Sequence, residues 1–292
     1  MTLRPSQLPK VRRQTLRHLR EPSSSIRSGV SADTAESMGA LASVLEVGEL
    51  FWVQQDMAAL AMHAGEQLAA ARWATADRPA PCGLLYWQDG IGHMEAQGVQ
   101  VPVEACAWGP YQGELLVWLL MSRDRLVAEA AAARPELEIV VEKVPPLIPI
   151  FAAMIPVTAE PLPMVELGSE VPQPVLAALA SAWLLMQQPL LVDRVRERAD
   201  KPTVRAYARD GLPSPEVTVV DLRRQYTPQD QDPDQEGPGR HYKHRWIVSG
   251  HWRDQAYGPG RSLRRKTWVP SYVKGPEGAP LLSTEKVNVW RR

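Results

Sequence analysis

The chain has 292 residues and a mass of 32.5 kDa, room for one large domain or two small ones. Its 33 basic residues balance 33 acidic ones, which excludes a uniformly basic nucleic-acid coat and an acidic solvating chain. Apolar residues make up 45%, enough for a packed core, and the ten Trp and seven Tyr against two Phe hint at a half-wet binding surface. Two cysteines, Cys82 and Cys106, are too few for a disulfide framework or a structural zinc site. The basic N-terminus runs into Pro-Ser-Ser-Ser at 22–25 without an apolar stretch, and no run is long enough to span a bilayer. The expectation is a soluble, cytoplasmic protein with no membrane partner, no metal and no cofactor.

The neutrality is a cancellation. Residues 1–28 carry seven basic residues against Glu21, a net of +6. Residues 29–193 net −14, residues 194–239 net −1, and residues 240–292 net +9. An acidic body between basic ends points to a partner more than to a fold.

In chain order, residues 1–30 lack apolar periodicity and read as a disordered basic arm. Asp33 can cap a helix over 34–47, with Met38, Leu41 and Leu45 on one face. Asp56 can cap a second, over 57–73. The period then changes, and 82–87, 99–108 and 115–121 read as strands separated by Asp-Gly or Gly-Pro turns. Ser122 caps an Ala-rich helix over 123–133, and 138–144 reads as a further strand. The proline-rich stretch 145–174 is an irregular connection to the most apolar helix, 174–188, expected to be central to the core. An Arg-rich segment at 194–209 precedes a strand at 216–222. Together these predict an α+β fold, an antiparallel meander sheet with helices packed to one side. The expected organisation is an arm at 1–30, an acidic body at 31–226, a flexible acidic linker at 227–239 and a basic, aromatic-rich β segment at 240–292 packed on the body. Strands are expected there at 240–253, 263–270 and 287–290, with a turn at 257–260.

Most catalytic constellations are missing from the sequence. There is no Gly-rich loop followed by Lys-Ser/Thr, Gly90-Ile-Gly92 has no third glycine, and neither a Gly-x-Ser-x-Gly elbow nor a His-Glu-x-x-His pair occurs. The informative stretch runs from His241 through His244, Arg245, Trp246, His251, Trp252 and Arg253. It continues to Tyr257, Arg261, Arg264, Arg265 and Trp268, and holds three of the six histidines and three of the ten tryptophans. Cations interleaved with flat rings suit RNA or a single strand, since Arg meets phosphates while Trp and Tyr stack on bases. Period-two spacing would put His244, Trp246, Val248, Gly250 and Trp252 on one face. The alternative is that the tryptophans are core and the cations keep a strand in solution. A histidine pair could also serve as general acid and base in a metal-independent ribonuclease, although nothing in the spacing demands it.

Gly250-His251-Trp252-Arg253, Gln255-x-Tyr257, a Gly turn and Trp268-x-Pro270-x-x-Val273 resemble the C-terminal signature of the AcrVA-two-like anti-CRISPR family, except that Ser249 stands where that family usually has a basic residue. A weaker similarity covers 175–186, the Arg-rich connection and 217–223, so about a third of the chain is involved, all in its C-terminal half. The resemblance implies a mobile-element-encoded binding protein and not an enzyme. The family's founding member recognises the nascent N-terminal peptide of a type V-A CRISPR effector nuclease and causes loss of its mRNA. The expected partners are a nascent polypeptide and an mRNA–ribosome complex. The competing expectations are an RNA- or DNA-binding accessory protein of a phage or plasmid, and a His-dependent ribonuclease.

Overall fold

A computed structural model describes residues 3–21, 24, 26, 29–68, 72–96, 99–133, 140–158, 160–167, 170–222, 246–270 and 272–274. The chain divides into two compact units, Met1–Arg223 and Arg224–Arg292. The fold is α+β.

The first unit is organised by a mixed sheet. Its strands are β1 (Glu49–Val53), β3 (Gly83–Trp87), β6 (Ala105–Tyr111), β7 (Glu114–Ser122), β8 (Leu147–Ile155), β10 (Val192–Arg198) and β11 (Glu216–Leu222). They lie in the order β10-β11-β1-β3-β6-β7-β8. The half from β3 to β8 is antiparallel, as a meander predicts, but β1 runs parallel to both β11 and β3. The physical reason is the connection. Helix α3 (Gln55–Leu68) carries the chain from the end of β1 back to the start of β3, and such a crossover delivers a parallel neighbour. Short pairs flank the sheet: β2 (Arg72–Trp73) with β9 (Leu162–Pro163), and β4 (His93–Ala96) with β5 (Val99–Pro102).

Helices cover both faces, not one. On one face α1 (Leu8–Arg20) and α2 (Ala32–Val47) bury Leu8, Leu19, Leu41 and Leu45 against Trp52, Tyr86, Trp118 and Val217. On the other lies α5 (Gln173–Met186), the apolar helix read from the sequence, with every residue from Val175 to Met186 buried. Its Trp183 meets Trp108 edge-on at 5.1 Å between ring centres, and Trp108 stacks on Phe51 at 5.9 Å. Helices α3 and α5 approach so closely that a Cβ on Gly65 would lie 2.9 Å from the Ala177 backbone. The edge strand β8 carries Pro149 opposite Leu120 at a register shift.

Three expectations need correction. Residues 8–20, assigned to a disordered arm, form α1; Leu8, Val11, Thr15 and Leu19 recur at helical spacing, but the stripe is narrow and its arginine-rich surroundings make the segment read as polar, although the burial is complete at Leu8 and Leu19. The second helix ends at Leu68, and Trp73 belongs to β2. In the 138–144 region no strand is described: Val141–Lys143 is a 3₁₀ turn, and the strand comes later, at β8, inside the stretch expected to be irregular. That stretch tolerates strand structure because β8 is an edge, where a proline costs no ladder bond. Helix α4 (Arg123–Ala133) has the expected bounds, and Ser122 Oγ accepts from the Arg125 N–H at 3.2 Å. The Arg-rich segment comprises β10 and α6 (Lys201–Arg209).

In the second unit β12 (Trp246–Val248) pairs with β15 (Tyr272–Lys274), and β13 (His251–Tyr257) with β14 (Leu263–Val269). The proposed linker at 227–239, the start of the first C-terminal strand at 240–245 and the strand at 287–290 lie outside the described residues. Among the described residues no helix is long and apolar enough to cross a membrane.

Candidate functional site

The β13–β14 hairpin holds most of the residues singled out in the sequence. Its turn is made by Gly258 at φ 77° and Gly260 at φ 61°, a backbone that suits glycine and fits the expected turn at 257–260. Register places Trp252 opposite Trp268, and the rings meet edge-on at 5.3 Å. Trp268 is only 4% exposed and Trp252 half-buried, so this pair holds the hairpin together. On the same face Lys266 bridges Asp254 at 2.7 Å.

The opposite face carries His251, Arg253, Gln255 and Tyr257 of β13 beside Arg265 and Thr267 of β14. There the Arg265 guanidinium lies 5.5 Å from the Tyr257 ring centre, and Arg253 donates to Gln255. Arg253 and Arg265 on this face are exposed, as are Arg261 in the turn and Arg264 on the tryptophan face, and Tyr257 is 41% exposed. The single alternating strand face expected from 244 to 252 is interrupted, because Ser249-Gly250 separates β12 from β13. His251 is half-buried and its Nδ1 lies 3.2 Å from the Ser249 carbonyl. Trp246 is in β12, while His241, His244 and Arg245 lie outside the described residues.

A second site, missed by the sequence reading, opens in the first unit. It is a cleft of about 460 Å³ beyond the carboxyl ends of β1 and β3, a location that open parallel sheets favour for ligands. Trp52 and Tyr86, stacked at 4.8 Å, form its floor. Glu104, 7% exposed, accepts the Ser122 N–H at 2.8 Å. The Tyr86 hydroxyl sits between the Ser122 side chain and the Glu104 carboxylate, and burial, then the Glu104 charge, push its pKa well above the ordinary tyrosine range. The Trp52 indole N–H is buried without a hydrogen-bond partner. Lys10, Arg123 and Arg125 bring positive charge to the walls, and Asp89 and Asp124 negative charge.

Local sequence explains the geometry. The Asp89-Gly90 turn, with φ of 66° and 79°, closes through the Gly90 N–H to the Trp87 carbonyl and presents Asp89 at the rim. Ser122 ends β7 and caps α4, which sets Arg123 and Arg125 at the start of that helix. The one available sequence signal was Glu104, a carboxylate inside the apolar run 99–108, which alternation alone assigns to solvent. Both cysteines are free; Cys106 is buried, which raises its thiol pKa. Among the described residues no group of His, Cys, Asp and Glu is placed to hold a metal ion. The arrangement suits binding: a polar, partly aromatic recess with both signs of charge at its walls.

Compared with protein-family models and with curated proteins, the chain matches none.

Proposed function

We propose that the chain is a regulatory binding protein of the kind its C-terminal half resembles, capturing a peptide in the body cleft and contacting RNA through the β13–β14 hairpin. The observation that carries the peptide arm is the cleft itself. A buried carboxylate, an unpartnered buried indole N–H and walls of both charge signs match a short zwitterionic polymer better than a uniformly anionic one. The exposed arginines around Tyr257 support the RNA arm, because guanidinium groups meet phosphates in a fork and a tyrosine face accepts a base. A second reading, a nucleic-acid-binding accessory protein with no peptide ligand, draws on the hairpin alone.

The test is affinity capture of the full chain from bacterial cells, followed by sequencing of the co-purified RNA. Wild type should retain a restricted set of translating mRNAs. Glu104→Gln, which keeps the side chain's size, should lose the selectivity while general RNA binding remains. Unselective RNA retention by the wild type would leave the second reading standing and sink the peptide arm.

A further inference from the structure

The two basic segments that are far apart in sequence, 4–20 and 194–209, meet in the first unit. Helix α6 is capped by Asp200, whose Oδ1 accepts the Thr203 N–H at 2.9 Å, and the Asp200 N–H donates to the Ser6 carbonyl just before α1 at 3.0 Å. Further along, the Tyr207 hydroxyl donates to the Pro9 carbonyl at 3.2 Å and accepts from Arg12 Nη2 at 3.0 Å. The guanidinium carbons of Arg12 and Arg13 lie 5.9 and 5.7 Å from the Tyr207 ring centre, and Arg13 pairs with Asp210. The helices are thus held side by side by contacts at both ends of α6.

What this packing leaves outward is positive. Lys201, Arg205 and Arg209 follow each other at i, i+4 and i+8, one stripe about 12 Å long, and all three are exposed. On α1, Lys10 and Arg17 are exposed two turns apart. Among the described residues none of these five takes part in an ion pair; the recorded pairs nearby use Arg13 and Arg20, with Asp210 and Glu46. Five unneutralised cations on two adjoining helices repel one another, and a polyanion lying along them would relieve that repulsion.

We propose that the α1–α6 ridge is a contact surface for a nucleic-acid phosphate backbone, RNA in the reading above. This deepens the RNA arm of that reading by adding a surface on the body. An anionic membrane is disfavoured by the same geometry. A surface-bound amphipathic helix needs its apolar face free for the lipid, whereas here Leu8 and Leu19 of α1 and Tyr207 of α6 are buried in the fold. Phosphodiester recognition needs only the outward cations, all five being arginine or lysine at helical spacing on rigid supports.

The experiment uses the full chain and two variants. The ridge variant is Arg17→Gln/Lys201→Gln/Arg205→Gln/Arg209→Gln, and the hairpin variant is Arg253→Gln/Arg264→Gln/Arg265→Gln; glutamine keeps helix propensity and length. Binding of a labelled 30-nucleotide single-stranded RNA is followed by anisotropy across a salt series, and binding to phosphatidylserine vesicles by sedimentation. Thermal melting checks that both variants fold. The ridge variant should bind RNA about tenfold or more weakly at moderate salt, with the log–log salt slope reduced by about 2–3. Wild-type RNA affinity and slope in the ridge variant would overturn the ridge, and so would a loss confined to the vesicles. A ridge variant that loses RNA while the hairpin variant does not would uphold the ridge and overturn the hairpin's role. A wild type that binds no RNA would overturn both.

Discussion

Trp252 and Trp268 stand directly opposite each other across β13 and β14, their rings 5.3 Å apart and inclined at 65°. This is an edge-to-face contact, worth about 0.5–1.5 kcal/mol beyond the area it buries. The residues that carry the family resemblance therefore split in role: the tryptophans build the hairpin, and the arginines beside them face solvent. Trp268→Ala should cost about 3–5 kcal/mol locally. Hydrogen exchange should show lost protection of the β13 and β14 amides. Arg264→Ala should leave that protection unchanged.

The same substitution should have opposite signs at two glycines. Gly65→Ala places a Cβ 2.9 Å from the Ala177 backbone, so α3 and α5 must move apart, at a cost of about 1–3 kcal/mol. Gly39, inside α2 and exposed, has nothing within 4 Å of such a Cβ, and Gly39→Ala should stabilise by up to about 1 kcal/mol through helix propensity. Denaturant melts of the two variants check the pair; equal shifts would show that the α3–α5 approach is looser than described.

Alkaline stability follows from two buried acids. Tyr86 and Cys106 both have pKa values raised by burial, from ordinary values of 10.0 and 9.0. The folded state favours their neutral forms, so their contribution is whole below about pH 9 and is lost as pH rises, when the unfolded chain ionises first. Each group should remove up to about 1.4 kcal/mol per pH unit above its ordinary pKa. Tyr86→Phe should flatten the part of the decline that begins near pH 10, read from urea midpoints between pH 8 and 11.5, and leave the part due to Cys106.

Helix α1 should resist protease despite its arginines. Limited trypsinolysis of the folded chain should spare the bonds after Arg12, Arg13 and Arg17, because cleavage requires the helix to detach. Leu19→Ala, which empties a fully buried position at a cost of about 2–5 kcal/mol, should expose them.

Where the sequence was legible, the signal was local. Ser122 before an alanine-rich run marked α4, the continuous apolar stretch marked α5, and the alternating residues of 216–222 marked β11. Non-local facts were hidden. The parallel centre of the sheet depends on where α3 returns the chain, which no window of residues shows. Trp52 and Tyr86 are core residues; that they also floor a cleft depends on Glu104 and Ser122 arriving from other elements. The charge by segment was read correctly and grouped wrongly, since counting along the chain separated α1 from α6. The hairpin was found because its residues are contiguous, and even there the alternation failed at Ser249-Gly250, where the strand stops.

Pro149, set at the register shift of the outermost apolar strand, has a consequence for the chain's company. A long, greasy sheet margin is a template for uncontrolled stacking of one copy on the next. A residue with no amide hydrogen, placed where the ladder is already out of step, spoils that template. The sheet ends there, on a margin that offers the strand of a second copy a poor template for pairing.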